Sequence, residues 1–507
     1  MAEALDIQVV DQFADPMWRL ANLYRIVNDS GIEVHFEPNF MQWKFLDDMW
    51  YLNVIVKGRQ HGMTSLLCTV MLDACVFNPN INAGIIAHTL DDVKKIFRRK
   101  IKFPYEHLPE GIRGNIAPTN DTQNELILSN GSEIGVDTSM RSGTLNYLLI
   151  SEFGKIAQLY PERAIEIKTG SFNTVHPGNF MFVESTGHGK GGEFYDLVKQ
   201  ARDMRSSGRP LSKLDFKYHF YPWWMNPLYK LDKAESENVV FTRQITDYFA
   251  KVEKQMRITL SLGQRAWYVT KLRWNGDEMK REHPSTPDEP FEAVLKGAYF
   301  GSQMQEAREQ GRITRVPFEK GLPVDTWWDL GMRDKMAIWF AQTIGREFRF
   351  IDYHEITDHT LEWHLKEVCN KRRIEKGYQY RTHIGPHDLT VRESTRETVH
   401  KTRWHFANSM GYHFLICPQA DQDDQIDAAR NLLPICWFDE EHCSEGIIHL
   451  EQFRKVWNVN LGTYMNNWLH DEHSHGSSAF MTGAFMSGGL QHRKARAQPV
   501  QRSGFAT

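Results

Sequence analysis

The sequence has few cysteines, and their spacing serves no evident purpose. Cys68, Cys75, Cys369, Cys417, Cys436 and Cys443 form no Cys-x-x-Cys pair, which argues against a zinc ribbon and a disulfide framework. A reduced, cytoplasmic setting is expected. No apolar run approaches the roughly 18 residues that cross a bilayer, so no membrane partner is expected. The N-terminal MAEALDIQVVDQFADPMW lacks the basic-then-apolar order of a secretory signal. Neither sign of charge dominates: 60 basic residues face 64 acidic ones, a net of −4, so any surface for a polyanion has to be local. Core-forming residues are plentiful. With 41% hydrophobic and 12% aromatic residues over 507 positions, the chain can fill two to four domains of ~100–200 residues.

Residues 1–35 read as a helical lead-in. Beyond them the apolar runs YLNVIV (51–56), AGIIAH (83–88), NYLLI (146–150) and NFMFVE (179–184) alternate with helical segments, the pattern of a parallel sheet covered on both faces. ELILSNGSEIGV (125–136) is a hairpin with Asn-Gly at its turn. Residues 200–300 are more helical and rich in Trp and Tyr. Gly and Pro punctuate 311–324, where a linker is expected between a first domain at 36–310 and a second at 325–486. The tail 487–507 carries four Arg/Lys and no acid and is expected to be disordered.

VKGRQHGMTS (56–65) stands between an apolar strand and an apolar helix, the setting of a phosphate-binding loop. That loop needs a lysine after its second glycine, and Met63 is there instead. Gly62 and Thr64 suit the glycine and the Mg²⁺-binding hydroxyl. Lys57 lies at the other end of a loop that wraps its ligand, so its stem of ~6 Å can reach the phosphates from there. Arg59 is a second cation. The alternative is a plain glycine turn between strand and helix. Gln42 can pair a donor and an acceptor with an adenine edge. Glu152, ending the strand YLLIS, can orient a water for hydrolysis, while Ser151 occupies the place of the usual metal-holding aspartate. Arg141 can supply charge to a γ-phosphate. ESTGHGKGGEFYD (184–196) is either a sensor of nucleotide state or a loop.

The order Gln42, displaced-lysine loop, strand-end Glu152, then Glu184-Ser185-Thr186 resembles the ATPase domain of bacteriophage terminase large subunits. EHPSTPDEPF (282–291) is similar to the segment that closes their ATPase half, with Glu289-Pro290-Phe291 where the family usually reads Glu-Ala-Phe. The resemblance implies a P-loop, RecA/ASCE-like α/β fold. It places ATP against Gln42, Lys57, Gly58, Arg59, Gln60, His61, Gly62, Met63, Thr64 and Ser65. Glu184, Ser185 and Thr186 would be the coupling segment.

Further on, Asp329 ends WWD, Glu355 ends a hairpin, Asp388 follows Gly-Pro-His and Asp471 lies near a helix start. Acids at element ends can converge on one sheet edge and bind hard divalent ions through oxygen. Two such ions activate water and stabilise the leaving oxygen of a phosphodiester. DLG, PHD and HDEHSH resemble the ribonuclease-H-like nuclease domain of the same terminases, which implies Asp329, Asp388 and Asp471 as metal ligands. The family's later Asp-Ala is Ser478-Ala479 here, which puts the third ligand in doubt and makes Glu355 and His475 further candidates. A transition-metal site in HDEHSH is the alternative.

The resemblance covers roughly residues 33–485. It implies ATP-driven translocation of double-stranded DNA into a procapsid and endonucleolytic cutting of the concatemer, with ATP and Mg²⁺ (or Mn²⁺ in the nuclease). Its partners would be a portal protein, a small terminase subunit and a homo-oligomer, a pentamer on the procapsid. It would work in the host cytoplasm and be absent from the mature virion. Two rivals are kept: a helicase-like ATPase with a fused nuclease, and a degenerate DNA- or portal-docking scaffold.

Overall fold

The computed structural model describes residues 12–28, 30–141, 143–292, 297–331, 335–390, 402–458 and 463–487. The expected disordered tail lies outside the described residues from 488 onward. The chain divides into two compact units, Met1–Ala293 and Val294–Thr507.

The first unit opens differently from expectation. The described part of the lead-in holds a short helix, Pro16–Asn22, capped by Asp15, and then a two-stranded hairpin, β1 (Arg25–Val27) and β2 (Glu33–His35). It is tied into the core. The Arg19 guanidinium donates to both oxygens of buried Asp73, at 3.0 and 2.7 Å, and the Tyr24 hydroxyl donates to the same carboxylate at 2.9 Å. Removing one partner of a buried, hydrogen-bonded ion pair leaves the other charge uncompensated. Asp73→Ala is therefore expected to lower stability by about 3–5 kcal/mol, read as a fall in the unfolding midpoint of the first unit.

The main sheet of this unit uses β3 (Leu52–Lys57), β4 (Asn82–Ile86), β5 (Pro118–Asp121), β6 (Glu125–Leu128), β7 (Glu133–Asp137), β8 (Leu145–Ser151), β9 (Val175–Ser185) and β10 (Phe216–Tyr221). Their order is β10-β3-β9-β8-β4-β7-β6-β5, parallel from β10 to β7 and antiparallel beyond. β3 is buried at every residue, as a parallel strand covered on both faces must be. Side chains alternate across it: Ile55 joins one apolar cluster, Val54 and Val56 the other. The strands expected at 51–56, 83–88, 146–150 and 179–184 are β3, β4, β8 and β9. β10 lies in the stretch expected to be helical.

The second unit has β11 (Ile313–Thr314), β12 (Val324–Asp329), β13 (Met336–Ile344), β14 (Glu347–Ile356), β15 (Tyr380–Gly385), β16 (Phe414–Ile416) and β17 (Cys436–Asp439) in the order β11-β17-β14-β13-β12-β15-β16. β12, β13 and β14 are an antiparallel meander, and the outer strands add in parallel on either side. β18 (Lys455–Asn458) and β19 (Thr463–Trp468) form a separate hairpin.

The expected linker, 311–324, is corrected. β11 pairs with β17, and the Arg312 guanidinium donates to the carbonyls of Leu433 and Cys436 at 2.8 and 2.9 Å. Phe300 and Met304 belong to this unit's core, so the division falls after Ala293. The Gly and Pro residues mark turns around an edge strand of two residues, too short to show a period. The α/β class expected for both halves is what the two sheets show.

The helix Ser474–Met486 lies directly on this sheet. A Cβ at Gly483 would overlap the Trp327 indole, and one at Gly476 would press on Tyr353 and His449. The Trp339 indole N–H donates to the Gly476 carbonyl at 2.8 Å. The missing side chains let the helix sit low enough to bring His475 over the end of β12.

Candidate functional site

The end of β3 delivers Lys57 into a loop that runs to the helix Met63–Phe77. The loop is pinned on its outer side. The Gly58 and Arg59 amides donate to the carbonyls of Tyr221 and Glu282 at 3.1 and 2.9 Å, and the Tyr229 hydroxyl donates to the Arg59 carbonyl at 2.7 Å. Gly62 takes φ +72°, and a Cβ there would meet the Gln42 amide nitrogen at 2.8 Å, so glycine is required. Gly62 is the N-cap of the 15-residue helix and gives it no side-chain cap, which leaves the first-turn amides at the disposal of an anion. Met63 is buried in the core at 1% exposure, so the consensus lysine position faces the apolar cluster. His61 is buried beneath the loop. Burial, then the charges of Lys57 and His283, push its pKa down to about 3, so it stays neutral.

Around Lys57 lie Glu184 of β9, Glu152 just after β8 and, bonded to Glu184, Ser151 of β8 and Thr64 of the helix. The Lys57 ammonium lies 2.9 Å from Glu184 Oε2 and 3.4 Å from Glu152 Oε1. Glu184 Oε1 accepts the hydroxyls of Thr64 and Ser151, each at 2.7 Å. Burial alone would lower the Lys57 pKa. Glu184, then Glu152, more than offset this and hold it above its ordinary value, so the charge is secure. Glu152 itself adopts φ +58°, a left-handed conformation uncommon for a non-glycine residue, at the N-cap of Phe153–Leu159. Local strain of this kind is retained where a side chain must be aimed. Gly154, two residues on, touches the end of β9 and the residue after it: a Cβ there would meet Ser185 Oγ and the Thr186 carbonyl, both at 2.8 Å. Gly187 in turn packs on Pro290. A contiguous path thus runs from Glu152 through 185–187 to the segment that closes this unit.

In the second unit Asp329, Ala337 and Glu355 lie abreast across β12, β13 and β14. Directly opposed residues share a face, so two carboxylates flank a methyl group, with room left between them. Asp388 follows β15, parallel to β12, and its charge and that of Glu355 both act on Asp329. Burial raises the Asp329 pKa, opposed by His475, whose Nδ1 is 3.0 Å from Oδ2. Buried Glu355 lies 3.3 Å from the Lys335 ammonium and 2.6 Å from His449 Nε2, and it accepts the Tyr353 hydroxyl. Burial would raise its pKa, but His449, Tyr353 and Lys335 bring it to about 2, so it is ionised. Glu355, Glu445 and His449 place ligand atoms within 4.8 Å of one another, which suits a divalent cation. Asp471 is elsewhere engaged: it lies 3.4 Å from the Arg454 guanidinium and accepts the His473 amide at 2.9 Å.

No protein-family model and no curated protein matches the chain. Among solved structures it is similar to the HK97 bacteriophage large terminase, at 13% identity and TM-score 0.43, over 92% of this chain and 98% of that one. It is similar to the large terminase from the thermophilic bacteriophage D6E at 10% identity and TM-score 0.29, over 87% and 94% of the two chains. The large terminase nuclease from thermophilic phage G20c with bound cobalt matches 38% of this chain and 97% of its own, at 11% identity and TM-score 0.26. Likenesses this distant say nothing about chemistry, which rests on the side chains above.

The structure brings Lys57, Thr64, Glu152 and Glu184 together, and Asp329, Glu355, Asp388 and His475 at the end of one sheet. Other residues stand apart. Both ends of the Gln42 amide are taken, Nε2 by the Gly62 carbonyl and Oε1 by the Asn39 amide, each at 2.8 Å. Arg59 pairs with Glu282. Arg141, 58% exposed at its side chain, pairs with Glu166 at 2.7 Å. Sequence reasoning missed Glu445 and His449. Their spacing on Ser444–Gln452, one turn apart on one helix face, was the available signal.

Proposed function

We propose that the chain works as the large subunit of a phage terminase, its first unit hydrolysing ATP and its second cutting DNA. The observation that carries this is Lys57 at the foot of an uncapped helix, within reach of Glu152 and of Glu184, which also accepts the Thr64 hydroxyl. Met63 is turned into the core, so Lys57 is the loop's phosphate cation, and Arg59 becomes a second one at the rim only by leaving Glu282. Glu152, aimed by its left-handed backbone, holds the attacking water. The Thr64 hydroxyl would hold the Mg²⁺ that accompanies ATP, which would supply positive charge beside the transferred phosphoryl group. Arg141 reaches that charge only by leaving Glu166, and an exposed pair of this kind holds by less than about 1 kcal/mol. Closure around ATP is relayed through Gly154, Thr186 and Gly187 to the segment at Pro290.

In the second unit Asp329, Asp388 and Glu355, with His475, make an oxygen-rich edge for Mg²⁺ or Mn²⁺. Asp471 is a less direct candidate, since Arg454 already balances it. The DNA contacts of such a motor go mainly to phosphates and are tolerant of sequence. A portal protein, a small subunit and further copies in a pentameric ring are its expected partners, in the host cytoplasm. The test is ATP turnover by the full chain with and without double-stranded DNA, alongside Mn²⁺-dependent cleavage of plasmid DNA. Stimulated turnover and cleavage support the reading. Absence of both would favour a docking scaffold, and strand separation would favour a helicase.

A further inference from the structure

We infer that Glu184 supplies the Mg²⁺-side carboxylate of the nucleotide site, in place of the acid that position 151 lacks. The inference rests on the ATPase reading and deepens it. In phosphate-binding-loop enzymes Mg²⁺ is held by the loop's Ser or Thr hydroxyl and by an aspartate at the end of a nearby strand. Here that strand, β8, ends at Ser151, and Glu152 caps the helix that follows. Ser151 is neutral. Glu152 leans to Lys57, and its side chain keeps 32% exposure, which suits a group that handles water.

The carboxylate that touches the Thr64 hydroxyl comes from the next strand. Glu184 on β9 lies in register opposite Ser151 on β8. A glutamate is one methylene longer than an aspartate, which lets it stand in from a neighbouring strand. The Ser151 hydroxyl donates to Glu184 Oε1 at 2.7 Å, the same oxygen that accepts Thr64, so the serine aims the acid that replaces its own missing carboxylate.

The residue is fully buried, and an ionised carboxylate persists in such a place only if it is paired. Its other oxygen faces the Lys57 ammonium at 2.9 Å. The lysine missing from 63 and the acid missing from 151 have therefore moved to neighbouring strands and meet each other. Without Lys57 the buried Glu184 would lose the cation that faces it, whereas Lys57 would keep Glu152 at 3.4 Å.

The experiment uses the full chain and a non-hydrolysable ATP analogue, titrated by fluorescence in EDTA and in Mg²⁺. The wild type is expected to bind more tightly with Mg²⁺. Glu184→Gln should bind the metal-free analogue no more weakly than the wild type, since it removes a negative charge beside Lys57, and should lose about 10–100-fold of Mg²⁺ affinity, the usual loss when a group that holds a metal's shell is removed. The double variant Ser151→Asp with Glu184→Gln keeps the charge count around Lys57, so it guards against a single variant that fails to fold. It should regain the Mg²⁺-dependent gain. A Glu184→Gln protein that retains the full gain, or a folded double variant that shows none, overturns the inference. A wild type that binds the analogue in neither condition, or equally in both, overturns the ATPase reading instead.

Discussion

Lys57→Ala removes ATP hydrolysis, by about 10²–10³-fold or more, the scale of losing one preorganised charge donor at a reacting centre. The same change strips Glu184 of its only short contact to a cation among the described residues, so the fold weakens too, by about 3–5 kcal/mol. The two effects separate in the double variant Lys57→Ala with Glu184→Gln. There the buried carboxylate is gone, the unfolding midpoint recovers, and turnover stays lost. Adding Met63→Lys to the Lys57→Ala chain is not expected to rescue activity. Position 63 is 1% exposed and belongs to the apolar cluster, so a lysine there faces core side chains. Wild-type turnover in Lys57→Ala, measured by phosphate release, would mean that the loop holds phosphate by its amides alone.

How much of this was readable beforehand depends on how far apart the partners are in the chain. β3, β8 and β9 were legible because a strand buried on both faces is a continuous apolar run. Asp329 and Asp388 were legible because each closes such a run or follows it directly. Gln42 was open to misreading. Asn39 stands three residues before it, and Asn-x-x-Gln is also a capping box, which is how both side chains are used at the start of Phe40–Asp47. The Ser151–Glu184 and Glu355–His449 contacts were not legible. Each depends on pairing or packing between elements that the linear sequence does not bring together. β10 was hidden for another reason: FKYHFY alternates aromatic and polar residues amid Trp- and Tyr-rich helices, so its edge position was masked by composition. The boundary error has the same root, since Gly and Pro flag turns without saying which sheet the residues between them join.

Asp388→Ala is expected to abolish Mn²⁺-dependent DNA cleavage while ATP turnover and the unfolding midpoint hold. The side chain is 56% exposed and, among the described residues, pairs only with the neighbouring His387 at 2.8 Å, so its removal leaves no buried charge behind. Glu355→Gln should behave differently. It also loses cleavage, by about 10²-fold, because a hard divalent ion is held best by carboxylate oxygens and the space beside Ala337 then has one carboxylate fewer. It also lowers the unfolding midpoint, because Lys335 and His449 lose the buried charge that they surround. Position 478 offers a control. His475 touches Asp329, and Ser478 lies one turn further along the same helix, so an acid introduced there points toward the same edge. Ser478→Asp in the Glu355→Gln chain should restore part of the cleavage without restoring the midpoint. Recovery of both, or of neither, would show that Glu355 holds the fold together and takes no share in the metal centre.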